Sequence, residues 1–161
     1  MVHATEQQSV TKVRRALALL GARGEVRALD DSARTAKEAA DALGIEVGQI
    51  ASSLIFLADG HPFLVIASGG HRVDTLQLAS ILEAHEITKA TADEVRKATG
   101  FAIGGVAPIG HLTKVPVYMD EALLAHAIVW AAAGRPDSVF SVDPKALAEK
   151  TGATVLRVRA D

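Results

Sequence analysis

Apolar and polar positions along this chain follow two periods, and each period predicts a different kind of element. Val10, Val13, Leu17 and Leu20 fall at three- and four-residue steps closing at Gly21, which predicts an amphipathic first helix. "EVRAL" then predicts a short strand. "TAKEAADALG" opens on Thr35 with Glu38 three positions on, the capping-box spacing in which each side chain satisfies a backbone N–H, and stops at Gly44. "QIASSLIFLADGHPFLVIAS" is two apolar runs joined at Asp59-Gly60, a pair that tolerates the positive φ angles of a hairpin turn, so both runs read as buried strands. Asp74 or Thr75 caps a helix "LQLASILEA", and Thr91 with Glu94 repeats the capping box before "VRKATG". Downstream come a strand "VPVYM", a helical "DEALLA", a strand "AIVWAAA", a turn "GRPD", a strand "SVFSV", a helix opened by Asp143-Pro144 and a last strand "TVLRV". Helices and strands interleave without a repeat, low-complexity tract or linker, which predicts one compact mixed α/β domain over 1–161.

Composition narrows the functions open to such a domain. With 161 residues and 49% hydrophobic positions, the chain can bury one sizeable core. Seventeen basic against nineteen acidic residues give a net charge of −2, so no global positive field draws it to nucleic acid and any such contact is local. Cysteine is absent, which excludes disulfides, thiolate catalysis and Cys-type zinc sites. The six histidines show no HExxH or other close ligand spacing, so neither a metal nor a cofactor is expected. Apolar runs such as "SSLIFLA" are short and no cleavage-like site follows the first helix, which predicts a soluble cytoplasmic protein that does not enter a membrane. Ser52 and Ser53 lie in a strand pattern without the GxSxG turn that exposes a nucleophile, and read equally as small residues in a packed strand.

Two loops remain as candidate sites. "TGFAIGGVAPIGH", residues 99–111, matches neither GxGxxG before a helix nor GxxxxGK[ST]. Gly100, Gly104, Gly105 and Gly110 let backbone approach a ligand and Pro108 stiffens the path, so the loop either offers N–H groups to an oxyanion or is a tight helix-to-strand connection. "SGGHRVD", residues 68–74, places Arg72 either in a structural ion pair or against a phosphate, and His71 reads as a loop residue.

The blocks "TAKEAADALGIEVGQI", "SLIF", "HPFLVIASGGHRVD", "ATADEVRKATGFAIGGVAPIGH", "VPVYMDEALL" and "VWAAAGRPDSVFSV", in that order, resemble the YbaK/prolyl-tRNA-synthetase-associated editing-domain family of free-standing aminoacyl-tRNA deacylases. The resemblance spans roughly residues 30–158 and is most specific at Gly104-Gly105-Val106-Ala107-Pro108. It implies a mixed sheet curled into a partly open barrel with surrounding helices. It also implies hydrolysis of the ester of a mischarged aminoacyl-tRNA by activated water, without a metal or covalent nucleophile, and with loop amides and the terminal ribose hydroxyl assisting. The glycine loop then lines the pocket for the aminoacyl ester: Ser52 and Gly104 are the expected catalytic positions. Ser53, Arg72, Gly105, Val106, Ala107, Pro108 and His111 are the expected substrate contacts, His111 alternatively bonding the loop backbone. Lys37, Arg72 and Lys114 are candidates for a basic patch on the tRNA acceptor end, or plain solvated charges, and an aminoacyl-tRNA synthetase is a further partner candidate.

One departure stands out. The family carries a lysine in a pattern like QIVKSL, where this chain reads Gln49-Ile50-Ala51-Ser52-Ser53-Leu54, so the lysine falls on Ser52. Losing one positioned charge at a polar site costs about 2 to 4 kcal/mol. Three readings follow: a deacylase in which Ser52 orients water or substrate while another cation reaches the pocket, a non-catalytic binder of an aminoacyl-tRNA end or amino-acid-like ligand, or an introduced substitution at Ser52 that inactivates the site. Small amino acids are the expected substrates, although one methylene changes discrimination by only about 1 to 3 kcal/mol.

Overall fold

The computed structural model describes residues 6–19, 26–29 and 35–159. The described residues form five α-helices and eight strands: α1 (Glu6–Leu19), β1 (Val26–Ala28), α2 (Ala36–Leu43), β2 (Ile50–Ala58), β3 (His61–Ser68), α3 (Thr75–Ile81), β4 (Ile87–Lys89), α4 (Ala92–Thr99), β5 (Val117–Asp120), β6 (Val129–Arg135), β7 (Ser138–Val142), α5 (Pro144–Thr151) and β8 (Thr154–Leu156). Two 3₁₀ turns, Val47–Gln49 and Glu121–Ala125, join them, the second being the helical "DEALLA". The predicted close of α1 at Leu20 and Gly21 lies outside the described residues.

Local chemistry accounts for the element ends. Thr35 accepts the Glu38 N–H at 3.1 Å, half of the predicted box, whereas at Thr91 both halves form, at 3.2 and 2.9 Å. Asp74, and not Thr75, caps α3, accepting the Gln77 N–H. Asp59 and Gly60 both take positive φ, 48° and 86°, and close the β2–β3 hairpin.

All eight strands form one curled mixed sheet in the order β1-β7-β6-β2-β3-β5-β8, with β4 on β2 outside this path. The strand β4 was not legible in the apolar pattern. It forms because the Asp59 carboxylate accepts the N–H groups of His85 and Glu86, and the Asp59 N–H donates to the Glu86 carbonyl, which delivers the β-branched Ile87 and Thr88 to the end of β2. Those backbone donors hold the Asp59 carboxyl below the usual carboxylate range.

Alternation along β2 separates two cores. Ala51 and Ile55 pack on one side with Leu64, Ile66, Met119 and Phe140, while Phe56 packs on the other with Phe63 and Val65. Helix α1 lies on β6 at a distance only glycine permits: a Cβ on Gly134 would stand 2.7 Å from the Ser9 carbonyl oxygen.

Candidate functional site

The strand β2 has a complete partner on one edge and a broken one on the other. Against β3 it pairs throughout, from Ala51↔Ser68 to Ala58↔His61. On the opposite edge, parallel pairing to β6 covers only Ile50 and Ala51, and antiparallel pairing to β4 starts at Phe56. Among the described residues no strand faces Ser52, Ser53 and Leu54 there. A cavity of about 360 Å³ occupies this gap, and every residue from Ile50 to Phe56 lines it. Consecutive residues point to opposite faces of a strand, so a cavity touching all seven lies along the strand edge.

The register then assigns the polar groups. Ile50 accepts the Gly69 N–H at 2.7 Å, so even-numbered residues of β2 turn their backbone groups toward β3, and odd-numbered ones turn theirs to the broken edge, where the Ile55 carbonyl accepts the Ala90 N–H at 3.2 Å. Between Ala51, which meets β6, and Ile55, which meets Ala90, stands Ser53. Its backbone N–H and carbonyl face the cavity without a strand partner. Its Oγ is buried and has no hydrogen-bond partner.

Three segments close the walls. The start of α2 brings Thr35, Ala36 and Ala39, β6 brings Trp130 and Ala132, and the glycine loop brings Ile103, Gly104 and Val106. Gly104 has φ +90°, and a Cβ built there would find nothing nearer than Pro136 Cγ at 3.8 Å, so this residue is needed for its backbone angle more than for space. Pro136, also lining the cavity, is fixed in its turn by the fork of Arg135 on Asp137, at 2.8 and 3.0 Å.

The rest of the glycine loop is an anchor. Phe101, Val106, Ala107, Pro108 and Ile109 are buried, Gly105 rests on the backbone of Gly134 and Arg135, and the Phe101 N–H donates to Thr99 Oγ1 at 3.0 Å. His111 bonds the Ala107 carbonyl through Nε2 at 2.6 Å and meets the Phe101 ring edge-on at 6.1 Å. Burial pushes its pKa below the ordinary value; the Ala107 carbonyl works against this and Lys12 with it. The neutral ring with a proton on Nε2 is therefore the form that donates to Ala107.

Of the sequence-derived candidates, Ser52, Ser53, Gly104 and Val106 meet at the cavity. Gly105, Ala107, Pro108 and His111 stand behind it in the loop. Arg72, Lys37 and Lys114 are exposed and none of them lines it. His71 pairs with the buried Asp120 at 3.1 Å. Sequence reasoning missed Lys89, which is exposed on β4 and is, among the described residues, the one charged residue in the cavity lining. Its signal was weak, a β-branched pair in "ITKA". Among the described residues no group of three or more His, Asp and Glu side chains is placed to hold a metal ion, and no helix is long and apolar enough to cross a membrane.

Comparison with known proteins places this cavity in context. A family model described as the aminoacyl-tRNA editing domain matches residues 30–150. The uncharacterized protein YwhH of Bacillus subtilis is 30% identical over 126 residues, covering 78% of this chain and 80% of that protein. The proline–tRNA ligase of Bacillus licheniformis is 32% identical over 121 residues, 73% of this chain and only 21% of the ligase, so the chain spans about a fifth of that relative. Among solved structures, one described as a candidate trans-editing enzyme for prolyl tRNA synthetase superposes with a TM-score of 0.89 at 44% identity, covering 95% of this chain and 98% of that one. The hypothetical protein APE2540 superposes at 0.84 with 28% identity, covering 91% and 98%.

Proposed function

This chain belongs to the aminoacyl-tRNA editing-domain family, and we propose that it acts in trans as a deacylase, hydrolysing the ester of a tRNA mischarged with a small amino acid. The observation that carries the reading is the broken edge of β2: a small, mostly apolar cavity into which the Ser53 backbone N–H points unpaired. An N–H group held on a rigid strand is a donor whose orientation is fixed before substrate arrives, which is what stabilisation of a developing oxyanion requires. The apolar walls at Ala36, Ala39 and Ala132 suit a small side chain, and the terminal ribose lies toward the exposed Ile103 and Gly104.

The chemistry divides among the residues accordingly. Water attacks the ester carbonyl; the Ser53 N–H receives the developing negative charge, and the Ser52 hydroxyl orients the water or the substrate. The C–O bond to the ribose breaks, the ribose oxygen takes the proton given up by the water, and free amino acid and intact tRNA leave. Ser53 Oγ is not the nucleophile, since no surface of it is accessible. Gly104 and Val106 form the wall against the ester, while Gly105, Ala107, Pro108 and His111 hold that wall in place. Arg72, Lys37 and Lys114 are left for the tRNA backbone. The ligase relatives make tRNA specific for proline the first substrate to offer and its synthetase the first partner to test.

Release of amino acid from tRNAs mischarged with alanine, serine or threonine tests the reading, beside the Ser52→Lys variant. Turnover by the unmodified chain supports it. One observation favours a second reading, a binder without turnover: serine stands where the family lysine is expected. Saturable binding without release by the unmodified chain, and release by Ser52→Lys alone, would establish that alternative.

A further inference from the structure

We infer that Lys89 is a positioning residue of this site, holding the phosphodiester that precedes the terminal adenosine of the substrate; the inference rests on the reading just given and adds a residue to it. Three observations carry it. Among the described residues Lys89 is the only charged side chain lining the cavity, and no carboxylate of those residues lines it. Among the described residues it has no ion-pair or hydrogen-bond partner, whereas Arg135, next in sequence to the lining residue Pro136, is paired with Asp137. Finally, its register fixes its direction. Lys89 pairs with Phe56, and directly paired residues project on the same face, so it shares the face of β2 that carries Ser52 and Leu54.

Distance permits the role. Ser52 and the position opposite Lys89 are four residues apart along β2, about 13 Å, and an extended lysine side chain covers about half of that span. Lys89 is exposed and Ser53 half-buried, which sets the lysine toward the mouth and the Ser53 N–H deeper. The aminoacylated terminal nucleotide of a tRNA has the same polarity: its ester enters deep, and its nearest negative charge, the 5′ phosphodiester, stays outside. A flexible lysine offers a point charge suited to such a phosphate. Asp59 places this lysine, because its carboxylate seats the N–H groups of His85 and Glu86 that start β4.

The test uses two ligands that cannot be hydrolysed, 3′-alanylamino-3′-deoxyadenosine with and without a 5′-phosphate, titrated calorimetrically into the full chain. The expected result is that the unmodified chain prefers the phosphorylated ligand by about fivefold or more, a preference that weakens with salt. Lys89→Met should bring the ratio close to one while leaving affinity for the unphosphorylated ligand within about twofold. Lys89→Arg should keep the preference. Adding Ser52→Lys to Lys89→Met should restore it, because a lysine at 52 rises from the same face. A Lys89→Met protein that retains the preference overturns the inference. Equal affinity of the unmodified chain for both ligands overturns it too, yet leaves the aminoacyl pocket standing. Binding of neither ligand overturns the pocket reading and Lys89 together.

Discussion

Ser68 and Ser53 stand on the two strands of one hairpin and are treated in opposite ways. Ser68 is buried; its Oγ donates to the Gly48 carbonyl at 2.7 Å and its N–H to the Asp120 carboxylate at 3.0 Å. Asp120 in turn accepts the Ala122 N–H at 3.0 Å and meets His71 Nδ1 at 3.1 Å, so one buried side chain ties β3, the 68–74 loop and the turn after β5. Ser53 has none of this: its Oγ is orphaned and its backbone groups face a cavity. The buried polar groups of a fold are ordinarily satisfied, and where open backbone groups face a cavity, as at Ser53 and unlike the orphaned Arg159 Nε, which does not line it, they are available to a ligand. The first region holds the molecule together, and the second is available to bind.

Breaking the satisfied region should produce the largest effect. Asp120→Ala removes one acceptor and orphans the N–H groups of Ser68 and Ala122 together with His71. The buried Ser68 N–H is left unpaired while Ala122 and His71 are partly exposed, so the loss should be about 1 to 3 kcal/mol. Urea denaturation should show that loss, and a loss below about 1 kcal/mol would mean that the cluster is not structural.

Breaking the open region should spare the fold and remove the chemistry. Ser53→Pro deletes one N–H that pairs with no strand, a substitution that edge strands tolerate, whereas Ser52→Pro deletes an N–H turned toward β3. Ser53→Pro should lower deacylation about a hundredfold or more with a cooperative unfolding transition retained, and Ser52→Pro should unfold the hairpin. Equal damage to stability from both would show that the register argument is wrong.

These contrasts also mark what could be read before the fold was known. Caps and turns were legible because they are local: Thr91 with Glu94, Asp59-Gly60 and Asp143-Pro144 each declare themselves within a few residues. The curled mixed sheet came from the resemblance, and the solved relative superposes on it over nearly the whole chain. The strand β4 was missed because its three residues carry a weak pattern and are recruited by a contact 26 residues away in sequence, from Asp59 to His85. The break in β2 was invisible for the same reason, since it is set by where β6 and β4 stop. Ser52, Ser53 and Gly104 were found as candidates, but only the pairing pattern shows that Ser53 turns its backbone groups into the cavity.

A smaller effect lies in the loop that forms one wall of the cavity. His111 is held neutral by burial, so its folded pKa lies below the ordinary 6.5. In the unfolded chain the ring takes up a proton as pH drops through 6.5, and the folded chain resists this until its own lower value is reached. The contribution is thus complete above pH 6.5 and is lost as pH falls through the folded value. The stability of the wild-type chain should fall from pH 7.5 to 5 more steeply than that of His111→Gln. His71 and the carboxylates are common to both proteins, so the difference isolates this ring. Parallel curves for the two would place His111 outside the loop's stability.

The least disruptive comparison removes a single oxygen from each serine. Ser68→Ala leaves the half-buried Gly48 carbonyl without its donor, and should cost about 1 kcal/mol. Ser53→Ala removes an oxygen that has no partner to lose, so relief of its burial offsets any packing lost, and stability should change by less than about 0.5 kcal/mol. Turnover should also survive, because alanine keeps the N–H and the inaccessible Oγ touches no substrate. If Ser53→Ala instead abolishes release while Ser53→Pro does not, the hydroxyl and not the backbone is the working group of the site, and the strand edge would have to turn its Oγ into the cavity when substrate binds.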